Sequence, residues 1–286
     1  MVLSAIWGSA FIAIKVSVEL IHPVSVASFR LLIGALFLYS FCLIKGYRFS
    51  VSKKYIILII IIGLVGNFIP FFLISWSEQY IQSNTAGLLL SVAPIFTLLL
   101  SHYFTKDDKF TLLKFISVIV GLTGVLFIIG IDTFESFASN NHKTIIPKIA
   151  IILSALGYVI SSILAYNLKN INIMILTTLV TISAALISVP FMIYIEIYFP
   201  SSLSINSLLS IIYLGLFPTA IAFQLRFHII SKAGPIFLSY VAYLIPAFAI
   251  LWGYLFLDEK INLDTSIGVI LILIGVFISQ KKTLNE

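Results

Sequence analysis

The chain has 286 residues, of which 60% are hydrophobic and only 10% charged, with a mean hydropathy of +1.15. Soluble domains carry about 25% charged residues, so this composition excludes a water-soluble globular protein and implies an integral membrane one. The net charge of +6 is modest and follows from membrane topology, so no nucleic-acid partner is implied, and a single cysteine, Cys42, excludes an intrachain disulfide framework or a CxxC motif.

In chain order, ten apolar runs reach the length of roughly 20 residues that a helix needs to cross a bilayer. They span 2–21, 24–44, 55–76, 83–104, 110–130, 146–166, 173–198, 206–230, 235–257 and 263–280. The runs are long and continuous, without the alternation of a barrel wall, so helices are expected. The first begins almost at Met1 with no basic lead-in and no small-residue cleavage site, which reads as a retained helix whose true start could lie upstream. Connections are tight at Ile21-His22-Pro23-Val24 and at 232–235, and the longest polar stretch, 131–145, reads as a linker.

The chain reads as two copies of one pattern, 1–130 and 146–286. Gly87–Phe104 carries Pro94, a charged corner at Lys106-Asp107-Asp108-Lys109, and a following run with Gly124-Val125-Leu126-Phe127. Pro235–Leu257 carries Pro246, the corner Asp258-Glu259-Lys260, and a run ending in Gly275-Val276-Phe277-Ile278. Gly63-Leu64 answers Gly215-Leu216. With a cytoplasmic N-terminus, inner segments hold eleven basic residues and outer ones three, which supports ten crossings with both termini inside the plasma (inner) membrane. Five helices per copy is an odd number, so the second copy enters the membrane inverted. Inverted repeats place a substrate site near the midplane and allow alternating access. Pro70, Pro94, Pro218 and Pro246 lie within runs and are expected to shape hinges or the cavity, against the plainer alternative that they only shape packing.

Trp7-Gly8-Ser9 with Lys15, then Pro23 and Arg30, resembles the start of the EamA family of the drug/metabolite transporter superfamily. The run 239–246, Ser-Tyr-Val-Ala-Tyr-Leu-Ile-Pro, followed by Leu257-Asp258-Glu259-Lys260 and the closing glycine helix, is similar to that family's repeated C-terminal signature. The resemblance covers essentially the whole chain. It implies ten helices in inverted five-helix repeats and export or exchange of small metabolites. Asp108 stands where the family more often shows Glu.

Three basic residues, Lys15, Arg30 and Arg226, fall within runs, where charge is costly and function is the default hypothesis. Lys15 and Arg30 are equidistant from the His22-Pro23 turn, so a hairpin puts them at one height, about 11 Å below the outer surface. Glu19, one turn from Lys15, can pair with it. The structural alternatives for Lys15 and Arg30 are neutralisation by Glu19 or by capping carbonyls, or outward snorkelling, while Arg226 is expected to snorkel to the inner surface. Either Lys15 or Arg30 could receive a substrate carboxylate or phosphate, or both could be structural. Asn67, on a stripe with Gly63, Gly66 and Pro70, either lines the cavity or packs. Trp7, Phe11, Trp76, Tyr80, Tyr158, Tyr240 and Tyr243 are aromatic candidates, Tyr240 and Tyr243 the strongest of them, and Gln224 is a further deep polar group.

Glu19, Glu78 and Glu196 fall near outer ends, leaving mid-span positions without acids, which points to neutral, zwitterionic or anionic cargo over cationic drugs. No metal site, phosphate loop, catalytic residue or cofactor motif is present. The expected activity is secondary transport of a small polar metabolite, an amino acid or related zwitterion, driven by a proton or counter-substrate gradient. The alternatives are a multidrug or lipid-type exporter, a membrane-embedded enzyme and a passive channel.

Overall fold

The computed structural model describes residues 1–81, 83–105, 111–129, 142–257 and 263–280. The charged corners at 106–109 and 258–260, and most of the expected linker, lie outside these residues. Among the described residues all regular structure is helical. The helices are α1 (Val2–Val18), α2 (Pro23–Ile44), α3 (Ile56–Gly63), α4 (Ile69–Ser77), α5 (Ser83–Leu90), α6 (Ala93–Phe104) and α7 (Leu112–Ile129). They continue as α8 (His142–Tyr166), α9 (Ile173–Tyr198), α10 (Ile205–Leu214), α11 (Ala222–Ser239), α12 (Val241–Leu257) and α13 (Leu263–Gln280). Each of the ten apolar runs therefore holds helix. By length and composition five stretches can cross a membrane: Pro23–Ile44, Lys53–Ser77, Ile145–Tyr166, Ile173–Tyr198 and Ile205–Ser239. Shorter apolar helices accompany them.

Local chemistry sets the turns. Pro23 sits at the start of α2, where its missing N–H would have no helical partner, and His22 Nδ1 accepts from Val24 N at 3.3 Å. Burial lowers the His22 pKa against the nearby charge of Glu196, which keeps that nitrogen available as an acceptor. Asn172 caps α9 by accepting from Met174 N and Ile175 N, and Ser204 with Ser207 forms a capping box on α10. The expected turn near 232–235 is a kink at Gly234, whose φ of 83° lies in the left-handed region that only glycine enters freely.

Two helices contain a π-helical turn, Leu64–Phe68 between α3 and α4 and Gly215–Ile221 between α10 and α11. They fall on the Gly63 and Gly215 motifs that the sequence places in register. The prolines mark the same joints. Pro70 opens α4 directly after one π turn, Pro218 lies inside the other, and Pro94 opens α6 after the break at 91–92. Pro246 alone of the four sits inside a continuous helix, α12.

α7 and α13 meet in a reciprocal contact. A Cβ on Gly124 would lie 2.6 Å from Gly268 O and 2.8 Å from Ile272 N, while one on Gly275 would lie 2.8 Å from Ser117 O and 2.9 Å from Gly121 N. One offset of 151 residues relates all three pairs, Gly124 to Gly275, Ser117 to Gly268 and Gly121 to Ile272. The early part of α7 meets the late part of α13 and the reverse, so the two helices run antiparallel about a local two-fold. A second pair of contacts repeats the relation. Gly215 lies against Ile33 and Arg30 O (3.1 Å), and Gly63 lies against Ser183 and Val180 O (2.8 Å).

These backbones touch because no side chain intervenes, the device that lets helices associate where water supplies no hydrophobic drive. Gly124→Ala and Gly275→Ala should each lower the melting temperature of the detergent-purified protein, with an overpacking cost of about 1–3 kcal/mol. Gly46, with nothing within 4 Å of its Cβ position, has no neighbour to displace, although its φ of 69° makes a substitution strained.

Candidate functional site

A cavity of about 100 Å3 opens between helices from both parts of the chain. Its wall is apolar and aromatic, with Trp7 and Phe11 from α1, Phe71 from α4 and Tyr158 from α8. Two arginines enter it, Arg30 from α2 and Arg226 from α11, only 3% and 1% exposed. Among the described residues no acid lines it.

Each guanidinium is held by neutral groups. Arg30 Nε donates to Thr219 Oγ1 at 3.1 Å, and its Cζ lies 3.6 Å from the centre of the Phe71 ring. Arg226 Nη2 reaches Ser161 Oγ at 2.5 Å, Ser162 Oγ at 3.1 Å and Tyr158 O at 3.2 Å. Its Cζ lies 5.4 to 5.7 Å from the rings of Phe223, Phe227 and Tyr158, while Nη1 is buried with no partner among the described residues. The rings of Phe71 and Phe223 meet at 5.6 Å, which joins the two arginine environments. Cation–π contact stabilises a desolvated guanidinium by about 2 kcal/mol or more but leaves its charge uncancelled.

The local backbone places these groups. Thr219 lies in the second π turn, where it also donates to Leu214 O at 2.8 Å. Gly66 lies in the first π turn, and a Cβ there would run into Ser161 and come within 3.7 Å of Arg226 Nη2. Each arginine thus borders the π turn that the other part of the chain supplies. Such turns recur at functional sites because the extra residue re-aims side chains and frees backbone groups.

The other candidate residues fall in several places. Trp7 lines the cavity, with Nε1 donating to Pro218 O at 3.2 Å. Lys15 does not pair with Glu19, which is exposed. Its Nζ donates to the backbone carbonyl of Glu78 at 2.6 Å, because the end of α4 lies closer than the outward-turned Glu19 side chain. Arg226 does not snorkel. Phe223, Phe227 and Tyr158 close its path to the surface, and serine hydroxyls hold it inside. Asn67 is fully buried in the first π turn, with neither amide atom partnered among the described residues, and Gln224 Oε1 is likewise unpartnered. Trp76 leans on Tyr80 at 5.3 Å near the end of α4. Tyr240 and Tyr243 point away from the cavity towards α7. The Tyr240 hydroxyl lies 3.2 Å from Ser117 Oγ, and Tyr243 OH donates to Val118 O at 2.9 Å. Phe71 and Ser162 are lining residues that carried no signal in the sequence beyond apolarity and small size. Among the described residues no group of three or more His, Cys, Asp or Glu gathers to hold a metal.

The EamA-like transporter family model matches residues 1–130 and 146–280. The chain belongs to the EamA-like transporter family. Relatives span nearly its full length. "Uncharacterized transporter YoaV" of Bacillus subtilis (strain 168) is 24% identical over 275 residues, covering 96% of this chain and 92% of the relative. An "Uncharacterized transporter" of Archaeoglobus fulgidus is 27% identical over 281 residues, covering 96% and 95%. "Uncharacterized inner membrane transporter YedA" of Escherichia coli (strain K12) is 25% identical over 259 residues, covering 87% and 78%. A crystal structure with 16% sequence identity superposes with a TM-score of 0.74 over 99% of both chains, a likeness of fold. This EamA-family chain is therefore a multi-pass membrane protein of a transporter family, with its two buried arginines on one internal cavity.

The neutral partners of the arginines can be weighed by substitution. Thr219→Val keeps the shape and removes the acceptor of Arg30 Nε, so it should destabilise by about 1.5–3 kcal/mol, the worth of a hydrogen bond to a charged group. Asn67→Leu removes two buried polar atoms that hold no partner and should leave the melting temperature unchanged or raise it. Both are read by thermal unfolding of the detergent-purified protein.

Proposed function

We propose that this chain is a secondary transporter of small polar metabolites, an amino acid or related zwitterion above all, exported or exchanged by alternating access. The observation that carries the reading is the pair of buried arginines in a cavity with no lining acid. Charge that is desolvated and uncancelled is costly, and a site built this way gains most from an anionic group that enters it. Arg30, whose hydrogen bond uses Nε, supplies further donors for a carboxylate, and the uncancelled charge of Arg226 adds to the attraction. The faces of Trp7, Phe11 and Tyr158 offer an ammonium group a cation–π surface on the same wall. At about 30 Å3 for each water's share of liquid volume, the cavity holds the equivalent of about three waters, which suits a compact metabolite better than a lipid chain.

Ten crossings in two inverted five-helix repeats belong to the same reading. It is supported by the antiparallel reciprocal contact of α7 and α13, whose local two-fold runs across the helices and so along the membrane plane. The distribution of basic residues supports cytoplasmic termini and a plasma-membrane location. Pro70, Pro94 and Pro218, at the joints of helical segments, are the positions where rocking of one repeat against the other would be absorbed. The driving force is a proton or counter-substrate gradient. We assign no catalytic role to the cavity residues.

Counterflow in proteoliposomes tests this, with purified protein and a panel of labelled amino acids and other small carboxylates. The parent should show saturable exchange, and Arg30→Ala and Arg226→Ala should each reduce it about 10- to 100-fold, the worth of 1.5–3 kcal/mol. Flux without saturation would indicate a channel. Binding of apolar ligands with no polar cargo exchanged would replace this reading with the drug or lipid one.

A further inference from the structure

Glu78 lies just past the Lys53–Ser77 span, and its position in the sequence suggests a surface residue. It is 0% exposed. Ser83 Oγ, at the start of α5, donates to Oε2 at 3.1 Å, while Oε1 is buried with no partner among the described residues. The same residue's backbone carbonyl receives Lys15 Nζ. A carboxyl enclosed this way with one bare oxygen is poorly solvated as an anion, so it holds a proton well above the usual carboxylate range. Burial raises its pKa to about 8, with the Ser83 hydroxyl and the charges of Lys15 and Arg30 working in the opposite direction.

Each element around Glu78 contributes a known group. Lys15 comes from α1, Arg30 from α2 and the Ser83 hydroxyl from α5. On α8, Pro147 O accepts from Ser77 Oγ, and the next residue, Lys148, is a further cation, while Tyr158 lies in the field of Arg30. Arg30 is therefore shared. Its guanidinium lines the cavity and lies 3.6 Å from the centre of the Phe71 ring. Glu78 follows Phe71 by two turns on the same face of α4, about 10 Å along it, so the charge also bears on the carboxyl.

We propose that Glu78 is a proton-binding site coupled through Arg30 to cargo, so that a proton and a substrate carboxylate bind together and cross together. When a carboxylate neutralises Arg30, the field that favours ionised Glu78 weakens and Oε1 takes a proton from water. When the carboxylate leaves, the field returns and the proton goes back to water. Linkage makes the effect reciprocal: protonation of Glu78 frees Arg30's charge for cargo by the same factor. This rests on the carrier reading above and deepens it. Such a site ties cargo to proton movement in the same direction, so a proton gradient drives cargo towards the side that the protons enter.

The test has a part that needs no cargo. Infrared titration of the purified protein should show one protonated carboxyl band with a midpoint near pH 8, lost in Glu78→Gln. In Arg30→Ala the band should titrate at higher pH, since a favourable charge has been removed. In Glu78→Asp a high-titrating carboxyl should persist. A parent with no carboxyl titrating above the ordinary range, or a midpoint unmoved in Arg30→Ala, overturns the proposal. The second part uses the labelled amino acid that exchanges best in counterflow, with a pH gradient imposed across the vesicle. The parent should accumulate it on the side the protons enter, Glu78→Asp should retain this, and Glu78→Gln should lose it. Equal accumulation by parent and Glu78→Gln overturns the coupling. If no labelled compound exchanges at all, the carrier reading fails, and the infrared titration with Arg30→Ala still decides the proton site.

Discussion

A guanidinium group inside an apolar bundle has to be solvated by the protein, and most of this fold around the cavity answers that requirement. Arg30 and Arg226 have no acid beside them on the cavity wall. Their stabilisation is assembled from hydroxyls, one backbone carbonyl and the faces of aromatic rings. Such partners offset desolvation without neutralising charge, so the electrostatic field of the two cations stays directed into the cavity. An ion pair there would have been structurally safer and functionally silent.

The two π turns follow from the same requirement. A regular helix gives every carbonyl one fixed partner and every side chain one fixed direction. Inserting an extra residue at Leu64–Phe68 and at Gly215–Ile221 lets Thr219 meet Arg30 and lets the bare backbone at Gly66 approach Ser161 beside Arg226. Small residues at these joints let the backbones pack and also position the arginines' partners beside the cavity, so a stripe of glycines read as packing and a cavity reading of the same stripe describe one feature.

The helical architecture was legible because hydrophobic length is a coarse signal, and the glycine register because glycine contacts demand fixed spacing. Gly124 and Gly275, matched in sequence, meet each other's helices in space. Trp7 and Arg30 were legible as cavity residues from their depth. What stayed hidden depends on three-dimensional neighbours. Arg226 lies near a predicted inner end, yet rings from its own helix and from α8 seal it in. Glu78 lies near an outer end, yet α1 and α5 close over it. Distance along a chain measures depth only where the helix end is open to water. Tyr240 and Tyr243 show the converse, being deep and aromatic but turned towards α7, where Gly121 leaves room for the Tyr243 ring. The π turns carry no periodic signature of their own.

The reciprocal seating of α7 on α13 has a thermodynamic corollary. A contact related to itself by a two-fold is unchanged when the two sides trade conformations, so it contributes equally to two arrangements that differ by such a trade. Any preference between those arrangements must then originate where the copies differ chemically. Among those places, Arg30 stands opposite Val180 in the repeat, Thr219 opposite Asn67, and Pro218 opposite Gly66. The bias of this molecule thus originates in its broken symmetry, and Arg30 with its partner Thr219 brings part of that asymmetry to the cavity.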